Sequence, residues 1–582
     1  MKKHSIIALV LLGVLSLGCV KEEVAGQAGH NKVVTLTTTI TLPDAPGTKA
    51  LTAAGVKTFA VGDQVAIVYK NTGNETVKAE SAALVAEDIA SDGKMATITV
   101  TLTNPAQNGA VRYIYPAAMA KETIDTDATM DNESTIDFSR LATQNGTLAT
   151  LASNYDLAVF DGTLTADAAL PASVTLGNKL TICEFNIKNG GNDITAGITM
   201  MTVFDGTNAY IVNRAAGTGP IYVAMQPVSD DKTIQLCATD GTTSYRKHVT
   251  GKTLAAGSMY PVNLTMPTES RTCLELLTAN HTVQNGETLT GVLLGQYKIR
   301  TASTGTGTEK GDDPITVTLD GVDINSSFRD LAADSGIVCE RNTILVLADG
   351  SDNKVKGYST GYAGVYIKKE RTLTIRGNGS LTAIGNNNSI YSGAGIGGQG
   401  SKACGNIVIE SGTITAQGAS KASGIGNGTI AVDHVGEIIG GNITITGGHV
   451  IARGGASGAG IGTGNVALAS SVSNKNISFK NQCGDILISG GTIEATGGSY
   501  AAGIGCGLVF ASGRFSTVCG TITITANVIR VTATKGDRAP NSIGIGRTVS
   551  GATSTCGTIT IGSDTYSDGV NPASGNTYVY QP

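Results

Sequence analysis

Residues Cys404–Gly426 read CGNIVIESGTITAQGASKASGIG. Three pieces stand in this stretch. A Cys-Gly start is followed by Ile407-Val408-Ile409. Gly412 is followed by Ile414-Thr415-Ala416. Gly424-Ile425-Gly426 closes it. The same pieces return from Gly440-Gly441, with Ile443 and Ile445, Val450 and Ala452, then Gly460-Ile461-Gly462. They return from Cys483-Gly484, with Ile486 and Ile488, Ile493 and Ala495, then Gly503-Ile504-Gly505. A fourth copy runs from Cys519-Gly520 through Ile522 and Ile524, Ile529 and Val531, to Gly544-Ile545-Gly546. A partial fifth starts at Cys556-Gly557, with Ile559 and Ile561.

The start-to-triplet distance is 20 residues in the first three copies and 25 in the fourth, whereas the connection to the next start varies from 12 to 23. A rigid module thus alternates with an elastic connection. About 20 residues with three short β pieces match one coil of a parallel β-helix. Constant spacing keeps equivalent residues in register, so like side chains stack at about 4.8 Å. Alternation places Ile407 and Ile409 inside and Asn406 and Val408 outside. The eighth position after each start is Gly412, Gly448, Gly491 and then Asn527. That column predicts a left-handed corner residue in every coil. The Gly-Ile-Gly triplets predict close backbone approach on a third side.

Working back along the chain, Thr372–Ile375, Leu381–Ala383 and Gly395-Ile396-Gly397 fit the same template. Thr316–Ile324, Ile337–Cys339, Ile344–Leu347 and Ala363–Ile367 fit it loosely. Residues 272–582 are therefore read as one β-helix. Gly393–Gly398 could instead be called a nucleotide-binding glycine loop, but the strand-to-helix context such a loop needs is missing. Cys404, Cys483, Cys519 and Cys556 occupy one column, with Gly440 in the second copy. A ladder of buried, reduced thiols is expected there over a metal site or disulfides. Cys506 falls in a loop and is a candidate for exposure.

Composition agrees with this reading. Of 582 residues 77 are glycine, about twice the usual share, and there is no tryptophan. Collagen would need glycine at every third position. The hydrophobic content of 41% argues against a disordered chain. The net charge is −5, with no basic stretch, so nothing favours nucleic acid as a partner. No CxxC pair exists for zinc or redox work.

Residues 32–268 read as all-β. Val33–Leu42, Gln64–Tyr69 and Met95–Leu102 are rich in β-formers, with stretches of period-two alternation. Turn residues separate them at intervals, which predicts an antiparallel sandwich. One helix is predicted around Phe138–Leu151. His248 is the only histidine between residues 31 and 280, and it reads as an exposed strand residue.

The N-terminus reads as an address. Residues 1–18, MKKHSIIALVLLGVLSLG, have the charge and length of a signal peptide and are too short to span a bilayer. The run Leu15-Ser16-Leu17-Gly18-Cys19 resembles a bacterial lipobox, which implies lipidation of Cys19. Val20-Lys21-Glu22-Glu23 resembles the surface-export signal of Bacteroidota lipoproteins, and residues 19–31 then form a lipidated tether. No other stretch reads as able to span a bilayer.

Several stretches resemble the fimbrillin-like lipoproteins of Bacteroidota: Thr48-Lys49-Ala50, Phe59–Tyr69, Tyr113-Ile114-Tyr115-Pro116, Gln144–Leu148, Leu180–Ile187 and Leu254–Tyr260. The resemblance covers about 235 residues. It implies two tandem transthyretin-like β-sandwiches of the kind used in pilus subunits, tips and stalks. Val317–Val322, Leu347–Ser351 with Asn353, and Leu373–Leu381 resemble a family of bacterial carbohydrate-binding right-handed β-helix domains. That resemblance implies a polysaccharide or host-surface glycan as partner and, in some members, calcium. No local motif assigns a calcium site, so no cofactor is expected apart from a calcium that the resemblance leaves open and unassigned, and no metal ligand is named.

These readings converge on an all-β outer-membrane lipoprotein exposed at the cell surface. Adhesion or glycan binding through the β-helix is the expected function, with pilus subunits as further partners. One alternative is a polysaccharide lyase or hydrolase. Inverting hydrolases need paired carboxylates at fixed separation. Asp312-Asp313 is the only acidic pair in the helix region, and it sits in a Gly/Thr-rich turn. His434 and His449 lie in one repeat with no partner at fixed spacing. The signatures Asn-Thr-Asp, Gly-His-Gly and Arg-Ile-Lys are absent, so no catalytic residue is assigned. The other alternative is a structural pilus or stalk subunit. Sugar platforms favour exposed aromatics. Tyr358, Tyr362, Tyr366, Tyr391 and Tyr500 are the candidates. The connections 427–439, 463–482, 506–518 and 547–555 are expected to line one edge as a variable face.

Overall fold

A computed structural model describes residues 32–42, 58–217, 219–294, 297–302, 313–324, 334–358, 361–386, 391–430, 436–467, 479–510, 515–549 and 551–582. Residues 1–31, with the expected signal peptide and Cys19, lie outside the described residues, as do Thr48-Lys49-Ala50, Asp312 and His434. Strand accounts for 49% of the structure and helix for 5%, which fixes the class as all-β. Among the described residues no helix is long and apolar enough to cross a membrane. The chain divides into two compact units, up to Thr268 and from Glu269 onward.

The first unit begins with Val33–Thr41, paired antiparallel with Met95–Thr103 along its whole length. The opposite face of this first sandwich is a sheet of Thr76–Glu80, Ala66–Lys70, Ala110–Tyr115, Ala158–Thr163 and Gly177–Asn178. Leu36, Ile40, Ile98 and Leu102 pack between the sheets with Ile67, Tyr69 and Tyr113. Ala66, Val68 and Ile114 point the other way, into a second core with Ile182, Phe185, Met201 and Val223. A sheet buried on both faces explains why Ala66-Ile67-Val68-Tyr69 is continuously apolar rather than alternating.

The pairing is not purely antiparallel. Val33–Thr41 also pairs parallel with Ser173–Thr175, and Thr181–Asn189 pairs parallel with Met259–Thr265. The second pairing joins parts of two stretches that carry the fimbrillin-like resemblance, Leu180–Ile187 and Leu254–Tyr260. The expected helix over Phe138–Leu151 is instead a 3-10 turn, Phe138–Ala142, a two-residue strand, Thr143–Gln144, and a short helix, Leu148–Asn154. Asn145-Gly146 separates them: Gly146 has a φ of +71°, so the helical path breaks there. Thr147 then caps the short helix by accepting the Thr150 N–H.

The second unit is a parallel β-helix. Successive coils stack Ile407 on Ile443, Ile486, Ile522 and Ile559, and Ile409 on Ile445, Ile488, Ile524 and Ile561. All ten side chains are buried in one continuous core. At about 25 cal/mol per Å2 of apolar surface, each contributes on the order of 2 kcal/mol. The third side stacks Ile396, Ile425, Ile461, Ile504 and Ile543. The glycine after each has φ between +120° and +133°. A Cβ on Gly426 would lie 2.1 Å from the Gly462 carbonyl oxygen, so the coils approach too closely for any side chain.

The fourth copy departs from the expected register. Val531 and Ala533, not Ile529 and Val531, continue the Ile493–Ala495 ladder, and Ser542-Ile543-Gly544, not Gly544-Ile545-Gly546, continues the triplet column. Ile529 is 66% exposed. Two residues are inserted at the corner and one more before the triplet, so the aligned module runs 23 residues from Cys519 to Ser542 rather than the 25 counted to Gly544. Gly412, Gly448 and Gly491 have φ of +94°, +84° and +83°, as expected. Asn527 does not adopt positive φ, because the longer corner turns another way: the Val528 N–H reaches the Thr525 carbonyl oxygen at 3.5 Å.

The described parts of the expected variable loops form a further β layer. Gly436–Ile439, Phe479–Cys483, Phe515–Cys519 and Thr553–Cys556 stack in parallel, and Val466–Ala467 pairs with Val509–Phe510. Ile430, Ile438, Val466, Phe479, Val509 and Phe515 form a small core of their own, with Phe479 and Phe515 stacked at 5.4 Å. At the far end the strand direction reverses. Asp564–Tyr566, Gly569–Val570 and Thr577–Tyr580 pair antiparallel with Ile559–Ile561, Ile543–Gly544 and Val531–Thr534.

Candidate binding surface

Outward positions of the β-helix form columns. Two residues after each start stand Asn406, Asn442 and Asp485. The Asn406 Oδ1 accepts the Asn442 N–H at 2.8 Å, the Asn442 Oδ1 accepts the Asp485 N–H at 2.9 Å, and the Asp485 Oδ1 accepts the Thr521 N–H at 2.7 Å. Each side chain satisfies a backbone donor of the following coil. Sequence reasoning placed Asn406 outside but missed this stitching. The recurring polar residue after each Cys-Gly or Gly-Gly pair was the available signal.

The thiol column is present. Cys483 pairs with Cys519, and Cys519 with Cys556; Cys404, Cys483 and Cys519 are buried and free. Burial pushes the Cys404 thiol up to about 12, so it is a hydrophobe with a weak donor rather than a nucleophile. Cys506 is buried rather than exposed, and burial pushes it also to about 12. It lies directly after Gly505, and the stacked connections cover it.

Gly393–Gly398 offers no phosphate cradle. A Cβ on Gly395 or Gly397 would meet backbone of the next coil at 2.6 Å or 2.0 Å, so the space beside these glycines is filled. Asp313 uses its carbonyl oxygen to accept the buried Arg341 guanidinium at 2.5 Å. His449 does have a partner. Its Nε2 lies 3.2 Å from Glu494 Oε1 on the adjacent coil, with both side chains largely in solvent. His248 is exposed on the strand Ser244–Thr250, as read from the sequence.

The five tyrosines divide. Tyr358 is buried in the β-helix core and is not a platform. Tyr362, Tyr366, Tyr391 and Tyr500 are half-buried. Tyr366 follows Arg300 and Val338 along one outward column. Beside that column the Asp334 carboxylate meets Lys298 Nζ at 3.3 Å and Arg300 Nη2 at 3.1 Å, and Arg300 Nη1 meets Glu340 at 3.4 Å. The Gln399 amide donates to Ser335 at 2.9 Å. Burial, then the neighbouring Cys404 thiol and the Asp334 and Glu340 carboxylates, pushes the Tyr366 phenol up to about 12. It is therefore a neutral donor at neutral pH. Half-exposed rings beside fixed charged and amide groups can bind polar, ring-shaped molecules. No sequence spacing revealed this patch, because its members come from four successive coils.

Comparison with known proteins adds the following. A family model for the β-helix repeat matches residues 373–401, 407–429, 443–465 and 486–508. No curated protein matches the chain significantly. Among solved structures the chain is similar to a fimbrial assembly protein of Parabacteroides distasonis, at 12% identity and a TM-score of 0.25, over 39% of this chain and 90% of that one. It is also similar to the C-terminally truncated tip fimbrial protein Mfa3 of Porphyromonas gingivalis, at 14% identity and a TM-score of 0.22, over 38% of this chain and 82% of that one. These two neighbours are fimbrial proteins of Bacteroidota, and the β-helix repeat family matches four stretches of the C-terminal region of this chain.

Proposed function

We propose that this protein is a non-catalytic cell-surface lipoprotein, anchored through Cys19, that binds glycans with its β-helix. The sandwich unit serves for tethering or for assembly with pilus subunits. The observation that carries the glycan reading is the patch around Tyr366. There the half-buried Tyr366 ring stands beside the Lys298–Asp334–Arg300–Glu340 network on a scaffold whose strands are locked by stacking. Rigid placement lowers the ordering cost of binding, which matters for weakly held sugars. The lipobox-like run before Cys19 supports the anchor. Glycan-array binding of the full chain, with loss in Tyr366→Ala at unchanged melting temperature, is the expected result. Undiminished binding by Tyr366→Ala would remove the patch from the proposal. Metabolic labelling with palmitate tests Cys19, and Cys19→Ala should abolish it.

A further inference from the structure

At the last coils of the β-helix the outward surface changes character. Tyr500 stands in the turn after Thr492–Thr496, in the column that holds Lys421 and Ser457 in earlier coils. Arg538 and Arg547 carry their guanidinium carbons over the Tyr500 ring, each 5.4 Å from its centroid. Arg538 Nη1 also donates to the Tyr500 hydroxyl at 2.6 Å. Both backbones are pinned: the Arg538 N–H donates to the Ser499 carbonyl at 2.9 Å, and the Arg547 N–H to the Tyr500 carbonyl at 3.0 Å.

Both arginines are exposed, and among the described residues neither guanidinium meets a carboxylate. Asp537, the nearest acid in sequence, accepts the Asn576 amide instead. Earlier coils hold Thr429, Asn465 and Leu508 in the Arg547 column, all buried. Arginine stands where the stack ends and the column opens to solvent. Two like charges gathered on one ring repel each other, and in a chain of net charge −5 such a pair stands out. A bound anion relieves that repulsion. The planar fork of guanidinium matches a carboxylate with two parallel hydrogen bonds. Cation–π contact holds each fork in place before the ligand arrives.

We propose that Arg538, Tyr500 and Arg547 form a binding site for the carboxylate of an acidic sugar. The sugar class rests on the glycan reading above; the carboxylate rests on the paired arginines alone. The probe is trigalacturonate, titrated calorimetrically into the full chain, with its methyl ester as the uncharged control and a sulfated trisaccharide as a second anion. The acid should bind and the ester should not. Arg538→Ala and Arg547→Ala should each weaken binding on the order of tenfold. Arg538→Lys should recover part of that loss, since the charge returns without the fork. Tyr500→Phe keeps the ring and should change binding less than about twofold. Melting curves of these surface variants should match the parent.

Equal binding of acid and ester overturns the site, and so does undiminished binding by the Arg538→Ala/Arg547→Ala double variant. Preference for the sulfated sugar overturns the carboxylate assignment. A chain that binds neutral glycans through Tyr366 but not trigalacturonate sinks this inference and leaves the earlier reading standing. Binding of trigalacturonate that needs both arginines but survives Tyr366→Ala supports the site and detaches it from the Tyr366 patch.

Discussion

In the sandwich unit, the strand Ala66–Lys70 sends one face into a core with Leu36 and Ile98 and the other into a core with Ile182 and Met201. In the β-helix, the strand Ile443–Ile445 finds equivalent isoleucines in the coils on both sides. The first unit solves its packing separately at each position. It uses rings set edge to face, Phe59 on Tyr115 at 5.1 Å and Tyr113 on Phe160 at 5.7 Å. The second solves it once and repeats the answer. Among the described residues its long core contains no phenylalanine, and Tyr358 is the one aromatic buried in it. The difference teaches where damage should travel. A local fit fails locally, whereas a translated fit passes its error to both neighbours.

The largest expected effect tests this directly. Gly462 has a φ of +133°, and a Cβ there would lie 1.9 Å from the Gly505 carbonyl oxygen. Gly462→Val should cost more than about 4 kcal/mol and abolish cooperative folding of the β-helix. Hydrogen exchange read peptide by peptide should show the sandwich unit still protected. Loss of protection in both units would break the comparison.

Ile488→Ala should destabilise the β-helix by about 2–5 kcal/mol. Exchange should quicken also at Ile443–Ile445 and Ile522–Ile524, the strands on either side. Ile67→Ala, of similar size in the sandwich unit, should leave distant strands of that unit protected.

Arg112→Ala comes next. The Arg112 side chain is 5% exposed and grips Asp161 with two hydrogen bonds, of 2.6 and 3.1 Å, while donating to Thr135 at 2.8 Å. Asp161 is 52% exposed, so it regains water when the arginine goes. A loss of about 1–3 kcal/mol in urea unfolding is expected.

The smallest effect is a pH dependence confined to the β-helix. Burial alone would raise the Glu287 carboxyl, but hydrogen bonds from His281 at 2.6 Å, the Gln284 N–H at 2.8 Å and Thr272 at 2.5 Å outweigh it and hold it below the usual glutamate value. A lowered carboxyl stabilises the fold fully above its unfolded value, about 4.3, and that stability is lost as pH falls through the folded value. Glu287→Gln should therefore flatten the acid limb of β-helix stability below about pH 4.3. An unchanged limb would show that Glu287 is not responsible.

The coil stack was legible because its period is constant: Ile407, Ile443 and Ile486 are found by counting. The fourth copy was misread for the same reason. Residues 525–529 lengthen a corner without changing composition, and only hydrogen-bonded pairing shows that Val531 replaces Ile529 in the ladder. The layer around Phe479 and Phe515 was not legible, since its strands lie in connections of unequal length. Nor was Cys506, whose burial depends on chain that returns from elsewhere. The Tyr366 patch and the arginines on Tyr500 are gathered across coils, where sequence distance carries no information about proximity.

The reversed strands at the end of the stack have a consequence for assembly. A parallel stack ends in a row of unsatisfied donors and acceptors that another copy could extend indefinitely. Thr577–Tyr580 occupies that row against Val531–Thr534 but runs the opposite way. The repeating unit therefore cannot be continued past it in the same register.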